Sequence, residues 1–214
     1  KKKEKIGNLS REGKIYTTET IEVFDHDFSS LAEGVAVPHT VYDQARNEAY
    51  VTLGTSRDTS EFACDSLRHW WYNYGILYYA QATSILMLMD GGGSNSSRHY
   101  IFKQDLQALA DEIGVEIRIA HYPPYTSKWN PVEHKVFPHI TRALQGVVLT
   151  SHQLTQELIE TATTKSGLKV FACILNKVYE TGRNVAKGFK ESMPIVFDKH
   201  LKQWNYVAIP EKQF

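Results

Sequence analysis

The sequence predicts an α/β protein in which helices pack on a mixed β-sheet. Along the 214 residues, patterns typical of strands and helices follow the order hairpin, helix, strand, helix, strand, helix, as expected for a sheet covered by helices. With 42% apolar and 22% charged residues, the composition is that of a folded protein and not of a disordered one. We therefore expect one main domain with a substantial core.

The first predicted element is a β-hairpin. Residues 35–42 and 48–53 are rich in β-branched and aromatic side chains. The polar stretch between them is typical of a turn, so the two segments are expected to pair as antiparallel strands.

An amphipathic helix follows the hairpin. Asp58 occupies the predicted cap position, and Gly75 is predicted to end the helix. Trp70 and Trp71 could serve as a platform for stacked bases, but aromatic residues at helical spacing are more often buried. We expect this pair in the core.

The middle of the chain predicts a strand, a helix and a second strand. The apolar run 85–89 predicts a buried strand. Apolar residues then recur at helical spacing over 102–113, and Gly114 ends this helix. Residues 115–119 alternate in polarity, as in a strand with one buried face.

A further helix is predicted from Pro131, with Asn130 as its cap. Apolar residues follow Glu133 at helical spacing, namely Val136, Phe137, Ile140 and Leu144. Glu133 is therefore expected on the buried face, where a charge needs a partner or a metal. Pro138 is predicted to bend the helix after Glu133.

The pattern is weaker in the last part of the chain. A helix is predicted from Ser151, but glycine and proline are scattered among polar residues beyond Gly167. We expect a core over residues 1–165 and an irregular extension over residues 166–214 that packs on it.

Composition excludes several classes of protein. The net charge is zero at pH 7, which argues against a uniformly basic surface for tight nonspecific DNA binding. Basic residues gather at 1–5 and 187–202, where a solvated surface is the simpler interpretation. The sequence has no apolar run long enough to span a bilayer and no secretory pattern. Cys64 and Cys173 fit no metal-ligand spacing, so reduced thiols in a cytosolic protein are expected.

Asp90 is the first candidate for a functional residue. It ends the apolar run 85–89 and opens a glycine-rich loop. Open α/β sheets place their ligands beyond the carboxyl ends of strands. Glu133, at the start of a predicted helix, is a second acid that can join Asp90 around a metal.

The segment 121–130 supplies candidate contacts to DNA. Two prolines make it a stiff loop between a strand end and the helix, and stiff loops suit positioning. The candidates are His121, Lys128, Trp129 and Asn130. A capped loop with one packed tryptophan explains the same residues equally well.

Each acid by itself also has a simple structural interpretation. Asp-Gly is a common turn, so Asp90 can serve loop amides. Glu133 can stabilise a helix N-terminus by a few tenths to about 1 kcal/mol. A third hypothesis is nucleotide binding, because Gly91, Gly93 and Ser96 come close to the dinucleotide-binding fingerprint, although serine replaces its last glycine.

Two longer motifs carry a resemblance to a known family. Residues 90–95 read DGGGSN and residues 121–134 read HYPPYTSKWNPVEH. They closely resemble the second and third acidic motifs of the Rhodopirellula-type DDE transposases, which are bacterial insertion-sequence enzymes distantly related to the mariner group. The resemblance extends more loosely from Lys1 to about Tyr206.

This resemblance implies an RNase H-like fold in which three acids bind two divalent metals for DNA cleavage and strand transfer. By position, Asp90 matches the second acid and Glu133 the third. Carboxylate oxygens suit Mg²⁺ or Mn²⁺. The first acid is expected upstream of Lys1, on a first strand largely missing from this chain, so the fragment is expected to be inactive. Asp25 and Asp27 match no acid of the motif and are expected at the surface.

The resemblance also implies partners and a location. DNA at transposon ends and target sites is the expected partner, with a homo-oligomer on DNA, in the bacterial cytoplasm and at the nucleoid. The alternative from another class is a non-catalytic DNA-binding or assembly module that retains the fold.

Overall fold

The computed structural model describes residues 2–211, except the side chain of Ser127. These residues form two compact units. The first unit comprises Lys1–Arg57 and Pro131–Val178, and the second comprises Asp58–Asn130 and Tyr179–Phe214. Lys1, part of the basic cluster 1–5, lies outside the described residues. The division into a core at 1–165 and an extension at 166–214 follows other boundaries and stays a prediction.

Strands and α-helices follow one another in mixed order through the described residues. The strands are β1 (Glu4–Ile6), β2 (Gly34–Asp43), β3 (Glu48–Gly54), β4 (Ser84–Asp90), β5 (Glu116–Tyr122), β6 (Lys169–Leu175), β7 (Ile195–Phe197) and β8 (Asn205–Ala208). The α-helices are α1 (Ser60–Trp70), α2 (Ile76–Tyr78), α3 (Tyr100–Ile113), α4 (Pro131–Lys135), α5 (Phe137–Leu144), α6 (His152–Glu160) and α7 (Phe189–Ser192). Among the described residues, no helix is both long and apolar enough to cross a membrane.

The first unit is built on a sheet with the strand order β1-β2-β3-β6. Strands β2 and β3 form the predicted hairpin, with Asp43 opposite Glu48. The turn forms because the Asp43 carboxylate accepts hydrogen bonds from backbone amides and Asn47 adopts a left-handed conformation with φ of 54°. Apolar residues of α5 and α6, including Ile140 and Ile159, pack with residues of the sheet to form the core.

The second unit has a sheet with the strand order β4-β5-β8-β7. Strands β4 and β5 are parallel, and β8 is antiparallel to both β5 and β7. Phe102 and Leu106 of α3 are fully buried, as is Ile117 of β5. Gly114 ends α3 in a left-handed conformation, as predicted.

The predicted α/β class is confirmed, with mixed sheets flanked by helices. The arrangement is compatible with an RNase H-like fold. The sequence had suggested a single mixed sheet, whereas the strands divide into two. The reason is that β3 pairs with the distant strand β6 and not with β4, and local periodicity carries no information about such a partner.

Two details of α1 correct the sequence prediction. Thr59 is the cap and not Asp58, because the Thr59 side chain accepts a hydrogen bond from the backbone amide of Phe62. Gly75 does not end the helix: a π-helical segment, Trp71–Gly75, leads into α2. A Cβ at Gly75 would lie 2.6 Å from Cε3 of Trp71, so glycine makes room for this ring. Trp70 and Trp71 are both buried, as predicted.

The strand that leads to Asp90 is less buried than predicted. In β4, Leu86 is 64% exposed and Leu88 is 43% exposed, whereas the apolar run had suggested burial of both faces. The strand lies at the edge of its sheet. An apolar run therefore identified a strand correctly but not how many of its faces are covered.

The helix predicted from Pro131 is divided in two. Val136 has non-helical angles, φ of −124° and ψ of −58°, and Pro138 lies in the first turn of α5. The predicted bend after Glu133 is confirmed. Glu133 is half-buried on α4, whereas Ile140 and Leu144 belong to α5, so the single buried face that had been predicted for all three residues is wrong.

The last part of the chain is more regular than predicted. Strand β6 lies at the edge of the first sheet, and β8 lies between β5 and β7 in the second. Helix α6 begins as expected, with the Ser151 hydroxyl accepting a hydrogen bond from the amide of Leu154. Irregular structure therefore describes only the links between these elements.

Candidate functional site

Asp90 is the last residue of β4, where the strand opens into the glycine-rich loop. It is half-buried and lies opposite Tyr122 of β5 in the parallel ladder. The loop turns through Gly93, whose φ of +64° favours glycine. The sequence prediction of an acid at the carboxyl end of a strand is confirmed.

Asn130 holds the Asp90 carboxylate. Its Nδ2 donates a hydrogen bond of 3.2 Å to Oδ1 of Asp90. Asn130 is only 8% exposed, so this amide is directed inward and not toward solvent. An ionised carboxylate accepts at two oxygens, and one of them is oriented by this bond.

His121 holds the main chain of the same residue. Its Nδ1 lies 3.2 Å from the carbonyl oxygen of Asp90, and its Nε2 lies 2.9 Å from the hydroxyl of Tyr206. His121 is 5% exposed, and burial lowers the pKa of its imidazole. This position differs from the groove-lining one expected for a DNA contact.

Lys103 and Tyr206 are residues that sequence analysis did not single out. Lys103, on α3, is 4% exposed, and its ammonium donates a hydrogen bond to the carbonyl of Ser97 in the loop after Asp90. The same ammonium lies 4.7 Å from the centroid of the Tyr206 ring. Burial lowers the pKa of Lys103 to about 8. The sequence feature that could have identified Lys103 is its position three residues before Leu106, on the apolar face of the predicted helix.

The loop between β5 and α4 presents aromatic residues to solvent. Tyr125 is fully exposed and has φ of 65°, and Trp129 is 68% exposed. The exposed Lys128 places its ammonium 5.3 Å from the centroid of the Trp129 ring. Hydrogen bonds inside the loop, from the Trp129 amide to Thr126 and from the Thr126 hydroxyl to Pro123, hold this conformation. Trp129 therefore does not pack in the core.

Glu133 lies in the first turn of α4, in the first unit. Asp90, His121 and Asn130 belong to the second unit. The joint coordination of a metal by Asp90 and Glu133 stays a prediction.

Asp25, His26 and Asp27 form a group whose ligand atoms lie within 4.8 Å of one another, the kind of cluster that can hold an ion. All three side chains are exposed, and His26 pairs with both acids. Their surface position is as predicted. Such exposed clusters are common without a metal, so this one supports no site.

The fold argues against nucleotide binding by the loop of Gly91, Gly93 and Ser96, which comes close to the dinucleotide-binding fingerprint. In dinucleotide-binding proteins the glycine-rich turn leads directly into a helix whose N-terminus meets the phosphates. Here α3 begins only at Tyr100, four residues beyond Ser96. The two cysteines, Cys64 and Cys173, are free thiols, as predicted.

One family of known proteins matches almost the whole chain. The sequence profile described as Rhodopirellula transposase DDE domain matches residues 1–210. No curated protein and no solved structure matches the chain. The matched range includes the Asp90 loop, the 121–134 motif and the strand that carries Tyr206. The chain therefore belongs to the family of Rhodopirellula transposase DDE domains.

Proposed function

We propose that this chain is part of the catalytic core of an insertion-sequence transposase, an enzyme that cleaves DNA strands and joins them to target DNA with divalent metal ions. Membership of the family supports this proposal. The structural observation that carries it is the Asp90 carboxylate at the end of β4, oriented by Asn130. Glu133 follows Asn130 by three residues in the sequence.

Asp90 and Glu133 are the metal ligands in this proposal. Carboxylate oxygens are the ligands that Mg²⁺ and Mn²⁺ prefer. Asp90 fits such an ion because the amide of Asn130 uses one acceptor site of a group that has about four. When bound, the divalent ions activate water or a DNA 3′ hydroxyl for attack on a phosphodiester.

DNA contact is assigned to the exposed loop. Trp129 offers an aromatic face, and Lys128 beside it offers a positive charge. Aromatic faces stack on bases and lysines pair with phosphates. Since the net charge of the chain is zero, local contacts of this kind have to supply the affinity for DNA.

Nicking of supercoiled plasmid tests the catalytic proposal. A longer protein that contains this chain is expected to nick DNA in Mn²⁺, and Asp90→Asn or Glu133→Gln is expected to abolish nicking. Glu157→Gln, which removes an exposed acid of α6, is the charge-matched control and should retain activity. Equal activity in all variants would contradict the assignment of the ligands. DNA binding without nicking would instead favour the non-catalytic module.

Trp129→Ala tests the DNA contact separately. Loss of one base-stacking contact costs about 1–3 kcal/mol, or about 5-fold to 150-fold in affinity for single-stranded or branched DNA. Tyr16→Ala removes a fully exposed aromatic side chain elsewhere in the chain and should change the affinity little. Binding measured by fluorescence anisotropy distinguishes the two variants, and an unchanged affinity for Trp129→Ala would remove the loop from the proposal.

A further inference from the structure

Strand β8 brings a tyrosine to the histidine behind Asp90. The Tyr206 hydroxyl lies 2.9 Å from Nε2 of His121, whose Nδ1 lies 3.2 Å from the Asp90 carbonyl. We propose that Tyr206 and His121 form a positioning relay that sets the orientation of Asp90 for metal binding. This inference rests on the proposed function, because it presupposes that Asp90 is a metal ligand.

The partners determine the direction of each hydrogen bond. A carbonyl oxygen only accepts, so Nδ1 of His121 carries the proton that contacts Asp90. In a neutral imidazole, Nε2 is then an acceptor, and the Tyr206 hydroxyl donates to it.

The relay is held in place along its whole length. The backbone amide of His121 donates to the carbonyl of Trp204 at 2.9 Å, and Tyr206 pairs with Ile119 in the β5–β8 ladder. Tyr206 is 1% exposed, and the ammonium of Lys103 lies over its ring. These contacts leave the hydroxyl little freedom to turn away from His121.

Asp90 is thus anchored through two different groups. Asn130 holds the side-chain carboxylate, and His121 holds the main-chain carbonyl. Partners that orient metal ligands typically contribute 10-fold to 100-fold in metal affinity. Strand β8 thus contributes to the proposed metal site, because its residue Tyr206 contacts His121, which in turn contacts Asp90.

Tyr206→Phe tests the relay because it removes only the hydroxyl. Tyr179→Phe is a matched control: Tyr179 is also 1% exposed in the second unit, and its hydroxyl donates to the Asp65 carboxylate at 3.0 Å. Without metal, nitrogen NMR of the wild-type chain should show His121 protonated at Nδ1. Tyr206→Phe should shift the carbonyl ¹³C signal of Asp90, and Tyr179→Phe should not. A His121 ring protonated only at Nε2 would overturn the proposal.

Metal titration supplies the functional half of the test. Binding of Mg²⁺ is followed through the NMR signals of Asp90, and Mn²⁺ broadening locates the ion. Tyr206→Phe is expected to weaken binding about 10-fold, with no change in Tyr179→Phe. If Asp90→Asn abolishes binding but both tyrosine variants bind as the wild type does, the relay is overturned alone. If the wild type does not bind a metal at Asp90, the proposed function fails, and the relay is reduced to a structural contact.

Two substitutions of His121 separate orientation from packing. Asparagine can place its amide near the position of Nδ1 and donate to the Asp90 carbonyl, so His121→Asn should keep the Mg²⁺ affinity within a few-fold. His121→Leu fills similar space without a donor and should weaken Mg²⁺ binding about 10-fold. Equal losses in the two variants would assign the effect to packing and overturn the relay.

Discussion

Replacement of Lys103 by methionine measures what it costs to bury its ammonium. The side chain is 4% exposed, and burial lowers its pKa from 10.5 to about 8. The ammonium donates to the Ser97 carbonyl, and ring centroids of Tyr206, Tyr100 and Phe197 lie 4.7, 5.6 and 5.9 Å away. These contacts stabilise the charge but do not fully replace water.

The sign of the effect follows from the two pKa values. Between about pH 8 and 10.5 the unfolded chain keeps the Lys103 proton while the folded chain loses it. The contribution of Lys103 to the free energy of unfolding therefore rises with pH through this window. At about 1.4 kcal/mol per pH unit, the difference amounts to about 3 kcal/mol.

Urea unfolding at pH 7 and at pH 10.5 supplies the measurement. The free energy of unfolding of Lys103→Met, relative to that of the wild type, should fall by about 2–3 kcal/mol between these two values. The comparison cancels the other titrating groups. The neighbouring His121 has a pKa lowered from 6.5, below this window. Lys190→Met is the control, because Lys190 is exposed and its ammonium lies 5.0 Å from the Tyr100 ring.

If the free energies of unfolding of the wild type and of Lys103→Met changed equally between pH 7 and pH 10.5, the reasoning would be refuted. It would mean that the folded and unfolded chains bind the Lys103 proton equally well, so that burial has no effect on this charge. A steeper change in the Lys190→Met control than in Lys103→Met would also contradict the argument, because an exposed ammonium keeps its water.

Two further substitutions test the unusual end and the cap of α1. Gly75→Ala would place a Cβ 2.6 Å from the Trp71 ring, so it should lower the free energy of unfolding by about 1–3 kcal/mol. In the control Gly92→Ala, the new Cβ would meet no atom within 4 Å, so the free energy of unfolding should change little. Thr59→Ala should cost about 1 kcal/mol through the lost cap, and Asp58→Ala less, as measured by chemical denaturation. If Asp58→Ala lowered the free energy of unfolding more than Thr59→Ala did, Asp58 would be the cap, as predicted from the sequence.

The elements with strong local patterns were the ones predicted correctly. The hairpin of β2 and β3 and the helix α3 with Gly114 at its end all follow from periodicity and turn residues. The prediction failed at Gly75, where the glycine makes room for the ring of Trp71 four residues earlier and does not end the helix. The position of that buried ring is set by packing, and the spacing of residues does not report it. It also failed for the strands β6 and β8, because β6 is a continuous apolar run without alternation and β8 has only four residues.

The sequence by itself determined the α/β class, the acid Asp90 at the end of a strand and the motif that identifies the family. These features depend on residues close together in the chain, where spacing reports directly on local structure. The tertiary structure alone decided that β8 pairs with β5 and that Tyr206 meets His121. Strand partners distant in sequence are chosen by packing and by the cost of closing long loops, and neither leaves a periodic signal in the chain.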